Sequence, residues 1–224
     1  MIYLTPANTA AVRDLIDEHP ARLGALVTPR TWRPQLHSYD RWTWAADNDC
    51  FSLAEKFELG SFVAWLEAVP AEARARCVFA TAPDVVGDWS ATVERSTPAL
   101  PLIRAAGFPA GLVAQDGLED PDDLPWGDFD VLFLGGTTDF KLGRAAARCA
   151  MAAAERGLWV HMGRVNSELR TMRAAAIGCR SVDGTHLVFE ARAKGGSGAE
   201  DGGASRVLRW AERAERERPL LPGW

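Results

Sequence analysis

Six polar or glycine positions stand at the ends of six successive short apolar runs: Asp47 after WTWAA, Asp84 after VFATAP, Gln115 after GLVA, Gly135 and Gly136 after DVLFL, Met162-Gly163-Arg164 after LWVH, and Asp183 after CRSV. A carboxylate in a concave, apolar-walled mouth can act as nucleophile or as acid and base. Two of them, Asp47 and Asp183, are enough for double displacement at an anomeric carbon, one forming a covalent sugar intermediate and the other handling protons. Asp84 and Gln115 suit the edge of a purine-like ring, because a carboxylate accepts from N–H groups and an amide both donates and accepts. Gly135-Gly136 would let a ring or carbonyl approach the backbone. Phe51 and Met162 are the apolar groups that would sandwich a flat heterocycle. The plainer reading of any one such Asp is a helix cap or turn, and of either sandwich residue a place in the core.

These positions need a scaffold that brings strand ends together. Short runs rich in Val, Ile, Leu and Phe alternate with Ala-rich stretches of helical period, which marks βα units and a parallel sheet. Strands are expected at 2–5, 25–28, 43–46, 78–81, 111–114, 131–134, 159–162 and 180–182, and helices at 9–18, 52–68 (capped by Ser52), 88–106, 140–156 and 167–177. Three of the helices run into a glycine stop, at Gly107, Gly157 and Gly178. Eight strands of this kind imply a (β/α)8 TIM-type barrel, whose active site gathers at the C-terminal strand ends. The barrel spans 1–194. A Gly-rich linker, 195–204, leads to a C-terminal arginine-rich helix (205–218) and tail ending at 224. That helix reads as a salt-bridged solvent face or, more sharply, as a phosphate-binding surface.

The 224-residue length suits one domain, and 47% hydrophobic with 25% charged residues is an ordinary globular balance. No apolar stretch approaches the ~20 residues of a bilayer span, and MIYLTPANTA lacks a basic segment followed by a long apolar one, so a cytoplasmic protein without membrane contact is expected. Cys50, Cys77, Cys149 and Cys179 are scattered and read as free thiols. His37, His161 and His186 lack metal-ligand spacing; His161, mid-strand, reads as pointing away from the mouth or filling the core. Neither a metal nor a cofactor is expected. Net charge is −5, which excludes a protein coated in positive charge while leaving local basic patches open.

The order and context of the strand-end residues resemble tRNA-guanine transglycosylases and the related phage-type DNA 7-deazaguanine transglycosylases. WAADNDCF (44–51) resembles that family's Asp-Ser-Gly-Gly-aromatic motif, APD (82–84) its substrate-reading Asp, and GLVAQDG (111–117) its Gln segment. FLGGTTDFKL (133–142) resembles its glycine turn, HMGRV (161–165) its Met-Gly segment, and CRSVDGT (179–185) the surroundings of its nucleophile. The resemblance covers about Thr43 to Thr185. It implies that Asp183 attacks C1′, that Asp47 is the general base, that Asp84, Gln115 and Gly136 read a guanine-like edge, and that Phe51 and Met162 stack on its faces. Asn48 and Arg164 fall in the same binding segments. Asn48, Asp49 and Cys50 stand where the family has a small Ser-Gly-Gly trio, and Asp49 is a further carboxylate able to compete as base. Nothing here provides the family's Cys-rich zinc subdomain. A compact form acting on DNA, tRNA or a smaller nucleoside is therefore implied, with a 7-deazaguanine-type free base as second substrate and a homodimer allowed. An N-glycosidase using water as acceptor, and a non-catalytic nucleic-acid-binding subunit, are the rival readings.

For nucleic acid the candidate surface is Arg30, Arg33, Arg41, Arg164, Arg170 and Arg173, with Trp32, Tyr39 and Trp42 stacking on bases beside them. The long segment 29–40 is expected on the active-site face. A duplex target would have to flip its base out.

Overall fold

Eight parallel strands pair in chain order and close into a ring. They are β1 (Ile2–Thr5), β2 (Leu23–Val27), β3 (Trp44–Ala46), β4 (Cys77–Thr81), β5 (Ala110–Ala114), β6 (Val131–Leu134), β7 (Trp159–Met162) and β8 (Ser181–Asp183). This computed structural model describes residues 1–35, 38–193 and 206–217. The protein is a (β/α)8 barrel, as the alternation of apolar runs implies. The linker at 195–204, the tail from 218 and His37 lie outside the described residues.

The helices are α1 (Ala10–Glu18), α2 (Cys50–Leu53), α3 (Leu59–Glu67), α4 (Ala71–Arg74), α5 (Trp89–Ser96), α6 (Leu100–Ala105), α7 (Thr138–Leu142), α8 (Arg144–Glu155), α9 (Glu168–Ala176), α10 (His186–Ala193) and α11 (Arg206–Arg216). Side-chain oxygens of Thr9, Asp88, Thr137 and Ser167 accept from the first turns of α1, α5, α7 and α9. The glycine stops hold: Gly107, Gly157 and Gly178 have φ of 85°, 76° and 93°.

Three expected long helices are each divided. The stretch 52–68 splits into α2 and α3 at Ala54, whose φ is +49°, and Ser52 lies inside α2 rather than capping it. The stretch 88–106 breaks before α6 near Pro98, which has no N–H to continue the ladder. The stretch 140–156 breaks at Gly143, where ψ is 173°. The unforeseen α10 follows β8, and among the described residues no helix joins β2 to β3.

Successive strand residues face opposite sides. Leu4, Ala45, Phe79 and Val131, with Leu26 and Phe133 against them, form a small cluster inside the ring. Their neighbours one residue along, including Tyr3, Trp44, Ala80, Leu132, Val160 and Val182, belong to the larger core between strands and helices. The inward register continues through Asp47, Gln115, Gly135, Gly163 and Asp183. The ring closes where Ile2, Tyr3 and Leu4 pair with Ser181, Val182 and Asp183. The apolar side of α11 (Val207, Leu208, Ala211, Ala214) is buried, with contacts to α9, α10 and β1, while Arg213 bridges Glu168 and Glu217. The helix is thus an outer wall of the barrel with a salt-bridged exposed face.

Candidate active site

One cavity opens at the C-terminal ends of the strands. It encloses about 630 Å³, counting the open space of its mouth, and among its walls are Asp47, Asn48, Phe51, Asp84, Gln115, Gly135, Gly136, Arg164 and Asp183. These are nine of the ten residues that the sequence marked for catalysis and binding. The tenth, Met162, is a correction. It sits on the outward side of β7, 1% exposed in the core beneath the helices. Strand parity decides this, since His161 and Gly163 face inward and Met162 between them cannot.

Asp183, at the end of β8, is held from two sides. Its Oδ1 accepts the Arg164 N–H at 3.1 Å, and its Oδ2 lies 2.9 Å from His161 Nε2. His161 fills the barrel core, fully buried between the rings of Phe79 and Phe133, but it also points up at the carboxylate. Its Nδ1 lies 2.8 Å from Ser181 Oγ, which accepts the Trp159 indole N–H at 2.8 Å. Indole nitrogen only donates. A carboxylate only accepts, so the His161 proton is assigned to Nε2, facing Asp183, which leaves Nδ1 to accept the Ser181 hydrogen. Each Asp183 oxygen keeps a second lone pair for the cavity.

Asp47 follows β3. Its Oδ1 accepts the Asp49 N–H at 2.7 Å. Burial pushes its carboxyl up to about 6, against the lowering effect of that N–H and helped by the charges of Asp183, Asp84 and Asp49. Asp49 does not compete with it: its φ is +61° and its carboxylate binds the Arg30 guanidinium. Asn48 touches the cavity, but its amide is occupied within the fold. Its Oδ1 accepts the Cys50 N–H, and its Nδ2 donates to the Thr81 carbonyl.

Asp84 and Gln115 form a unit. Gln115 Nε2 donates to Asp84 Oδ2 at 2.5 Å, and Gln115 Oε1 accepts the Gly87 N–H at 2.9 Å. Asp84 Oδ1 accepts from the Cys50 thiol at 3.2 Å, and burial pushes that thiol up to about 12. Gln115 is thus oriented, with its second amide hydrogen still unassigned. Gly135 and Gly163 are required by close approach. A Cβ on Gly135 would stand 2.6 Å from Val113 Cγ1, and one on Gly163 would stand 2.7 Å from Phe133 Cε1.

Lys141 is a cavity residue that the sequence reading missed. It lies on α7, only 4% exposed, and its Nζ donates to the Gly163 carbonyl at 2.9 Å. Its place in FLGGTTDFKL, just beyond the glycine pair, was the available signal. At the rim, Phe51 is exposed and the Arg164 guanidinium stands 5.1 Å from its ring centre.

The arginines divide. Arg30, Arg33 and Arg164 lie at or beside the mouth, and Arg170 bonds to the Arg164 carbonyl. Arg173 is braced on the carbonyls of Leu142 and Gly143. Arg41 is a correction. It precedes β3, reaches Asp17 at the end of α1, and so lies at the opposite end of the barrel. Tyr39 and Trp42 are a correction too: they are 2% and 1% exposed and present no face to a base. Trp32 is half-buried and stacks on Tyr39 with centroids 4.1 Å apart. The mouth-facing part of segment 29–40 is its beginning, at Arg30.

Among the described residues, no group of His, Cys, Asp or Glu is arranged to hold a metal ion. In the same residues no helix is long and apolar enough to cross a membrane. The four thiols are free and buried.

No family model matches the chain. No curated protein matches it either. Among solved structures, Citrobacter amalonaticus methylaspartate ammonia lyase aligns with a TM-score of 0.58 at 11% identity, covering 96% of this chain. This chain spans 57% of that lyase's length. Amycolatopsis orientalis BexX, solved with CysO, aligns with a TM-score of 0.55 at 16% identity, covering 95% of this chain and 86% of that one. Tryptophan synthase from M. tuberculosis gives 0.52 at 12%, covering 97% and 92%. Such identities show a shared barrel and nothing of its chemistry.

Proposed function

We propose that this protein is an enzyme that exchanges a purine base for a 7-deazaguanine derivative at an N-glycosidic bond of DNA or tRNA. The observation that carries the reading is the meeting of Asp47 and Asp183 in one cavity with the Asp84–Gln115 pair and the Gly135–Gly136 turn.

In this mechanism an Asp183 oxygen attacks C1′. The C1′–O bond forms as C1′–N9 breaks, and the electron pair leaves with the purine, which takes a proton from Asp47. The incoming 7-deazaguanine then gives its ring N–H proton to Asp47. Its nitrogen attacks C1′ and returns the electron pair of the ester bond to Asp183. Two displacements retain configuration. A carboxyl near 6 is suited to both proton transfers at neutral pH. The donors on Asp183, from His161 and Arg164, hold it in place for attack. Asp84 accepts from the N–H groups of the base edge, and Gln115 donates to its carbonyl. Phe51 covers the ring from the mouth, and Gly163 rather than Met162 underlies it.

The test is incubation of DNA and tRNA with labelled 7-deazaguanine, followed by nucleoside mass spectrometry. The expected result is incorporation by the wild type, a sugar adduct trapped on a denaturing gel, and neither with Asp183→Asn. Base release without incorporation would instead mean that water is the acceptor. Absence of both reactions with every nucleic acid offered would overturn the reading.

A further inference from the structure

The Gly163 carbonyl and the Arg164 N–H belong to one peptide unit. Lys141 Nζ binds its oxygen at 2.9 Å, and Asp183 Oδ1 accepts its hydrogen at 3.1 Å. A trans peptide points these two groups in opposite directions, so the ammonium and the carboxylate sit on either side of the same plate. We infer that Lys141 is a positioning residue for Asp183, acting through the Gly163–Arg164 peptide; this rests on the proposed nucleophilic role of Asp183.

Four observations carry the assignment. Lys141 is buried, and among the described residues its one hydrogen-bond acceptor is the Gly163 carbonyl. An enclosed ammonium with a single neutral acceptor is a poor device for stability alone, because desolvation outweighs one such bond. The peptide it grips is set in an unusual pose: Arg164 has φ of +57°, which a side chain at that position disfavours. That pose is what aims the N–H at Asp183. Finally, a donor on a carbonyl oxygen polarises the amide and strengthens the bond made by its N–H. His161 holds the other Asp183 oxygen, so the lysine-backed peptide completes a two-point support.

The test uses Lys141→Met, which matches the length of the stem, and Lys141→Arg, which keeps the charge. In base exchange, Lys141→Met is expected to lower kcat by about tenfold or more with KM little changed, and Lys141→Arg to recover part of it. The Arg164 amide resonance, followed by 1H–15N NMR, is expected to move upfield in Lys141→Met as its bond to Asp183 weakens. Unchanged kcat would overturn the inference while leaving base exchange intact. A rise in KM alone would also overturn it, making Lys141 a substrate ligand. If the wild type exchanges no base, the proposed function fails, and the amide resonance still decides the positioning: an upfield shift sustains it and an unmoved signal ends it.

Discussion

His161 Nε2 lies 2.9 Å beneath Asp183 Oδ2, inside the barrel and out of reach of solvent. The donor is delivered by a chain that starts at the Trp159 indole and passes through Ser181. His161→Phe keeps the ring volume and removes the N–H. A hydrogen bond to a charged group is worth ~1.5–3 kcal/mol, so covalent-adduct formation should slow by roughly tenfold to a hundredfold. Single-turnover trapping measures it, and an unchanged adduct rate would remove His161 from the mechanism.

In the proposed exchange Asp47 acts first as the acid, giving its proton to the leaving purine. Its carboxyl titrates near 6, so the acid form disappears as pH rises through that value and the exchange rate should fall with it. Asp47→Asn should lose on the order of a hundredfold at neutral pH and show no such fall. The same shift acts in the same direction on stability. The folded carboxyl binds its proton more tightly than the unfolded one, whose value is 3.8. That stabilises the fold below about 4 and is lost as pH rises through about 6. Above pH 7, Asp47→Asn should therefore melt higher than the wild type, by on the order of 1–3 kcal/mol. Melting curves at pH 5 and pH 8 check the direction.

Trp32 is half-buried against the core aromatics. It stacks on Tyr39 and lies 5.4 Å from the Trp44 ring and 5.8 Å from that of Trp65. Trp32→Ala should cost ~2–4 kcal/mol of stability and leave nucleic-acid affinity as it was. Arg30→Ala and Arg164→Ala, at the mouth, should do the reverse and weaken the salt dependence of binding. Denaturation and salt-titrated binding of the three variants separate the two effects.

Gly135 stands where its neighbours leave no room for a side chain. Its missing Cβ would lie 2.6 Å from Val113 Cγ1 and 3.0 Å from Gln115 Nε2. Gly135→Ala should displace the Gln115 amide and raise KM for the incoming base by about tenfold or more. Gly60→Ala, on α3 with open space around it, is the control. It should stabilise the fold by ~0.5–1 kcal/mol without touching KM.

The barrel was legible because each buried strand is a short apolar run ending in a polar residue or glycine, and that signal survives errors of one or two residues in the boundaries. Asp47, Asp84, Gln115, Gly135, Gly136 and Asp183 were legible for the same reason. Met162 was misplaced because it was read as part of a segment, whereas facing is decided residue by residue along a strand. His161 looked like core filling, and it is; its second role depends on Ser181 and Trp159, whose partnership is a matter of register across β7 and β8. Lys141 was hidden by α7, whose five residues are too few to show a period. Tyr39 and Trp42 are aromatic residues beside arginines in sequence. Only packing reveals that they turn inward.

Asp183 pairs with Leu4 at the seam where the first and last strands meet, and β8 is only three residues long. The final rung of the ring and the proposed attacking group are one residue. A breach there, however small, carries the warhead out of alignment while most of the molecule is still folded. Under the proposed function, heat or denaturant should therefore silence the protein before it melts, so that a damaged copy becomes inert instead of careless with glycosidic bonds.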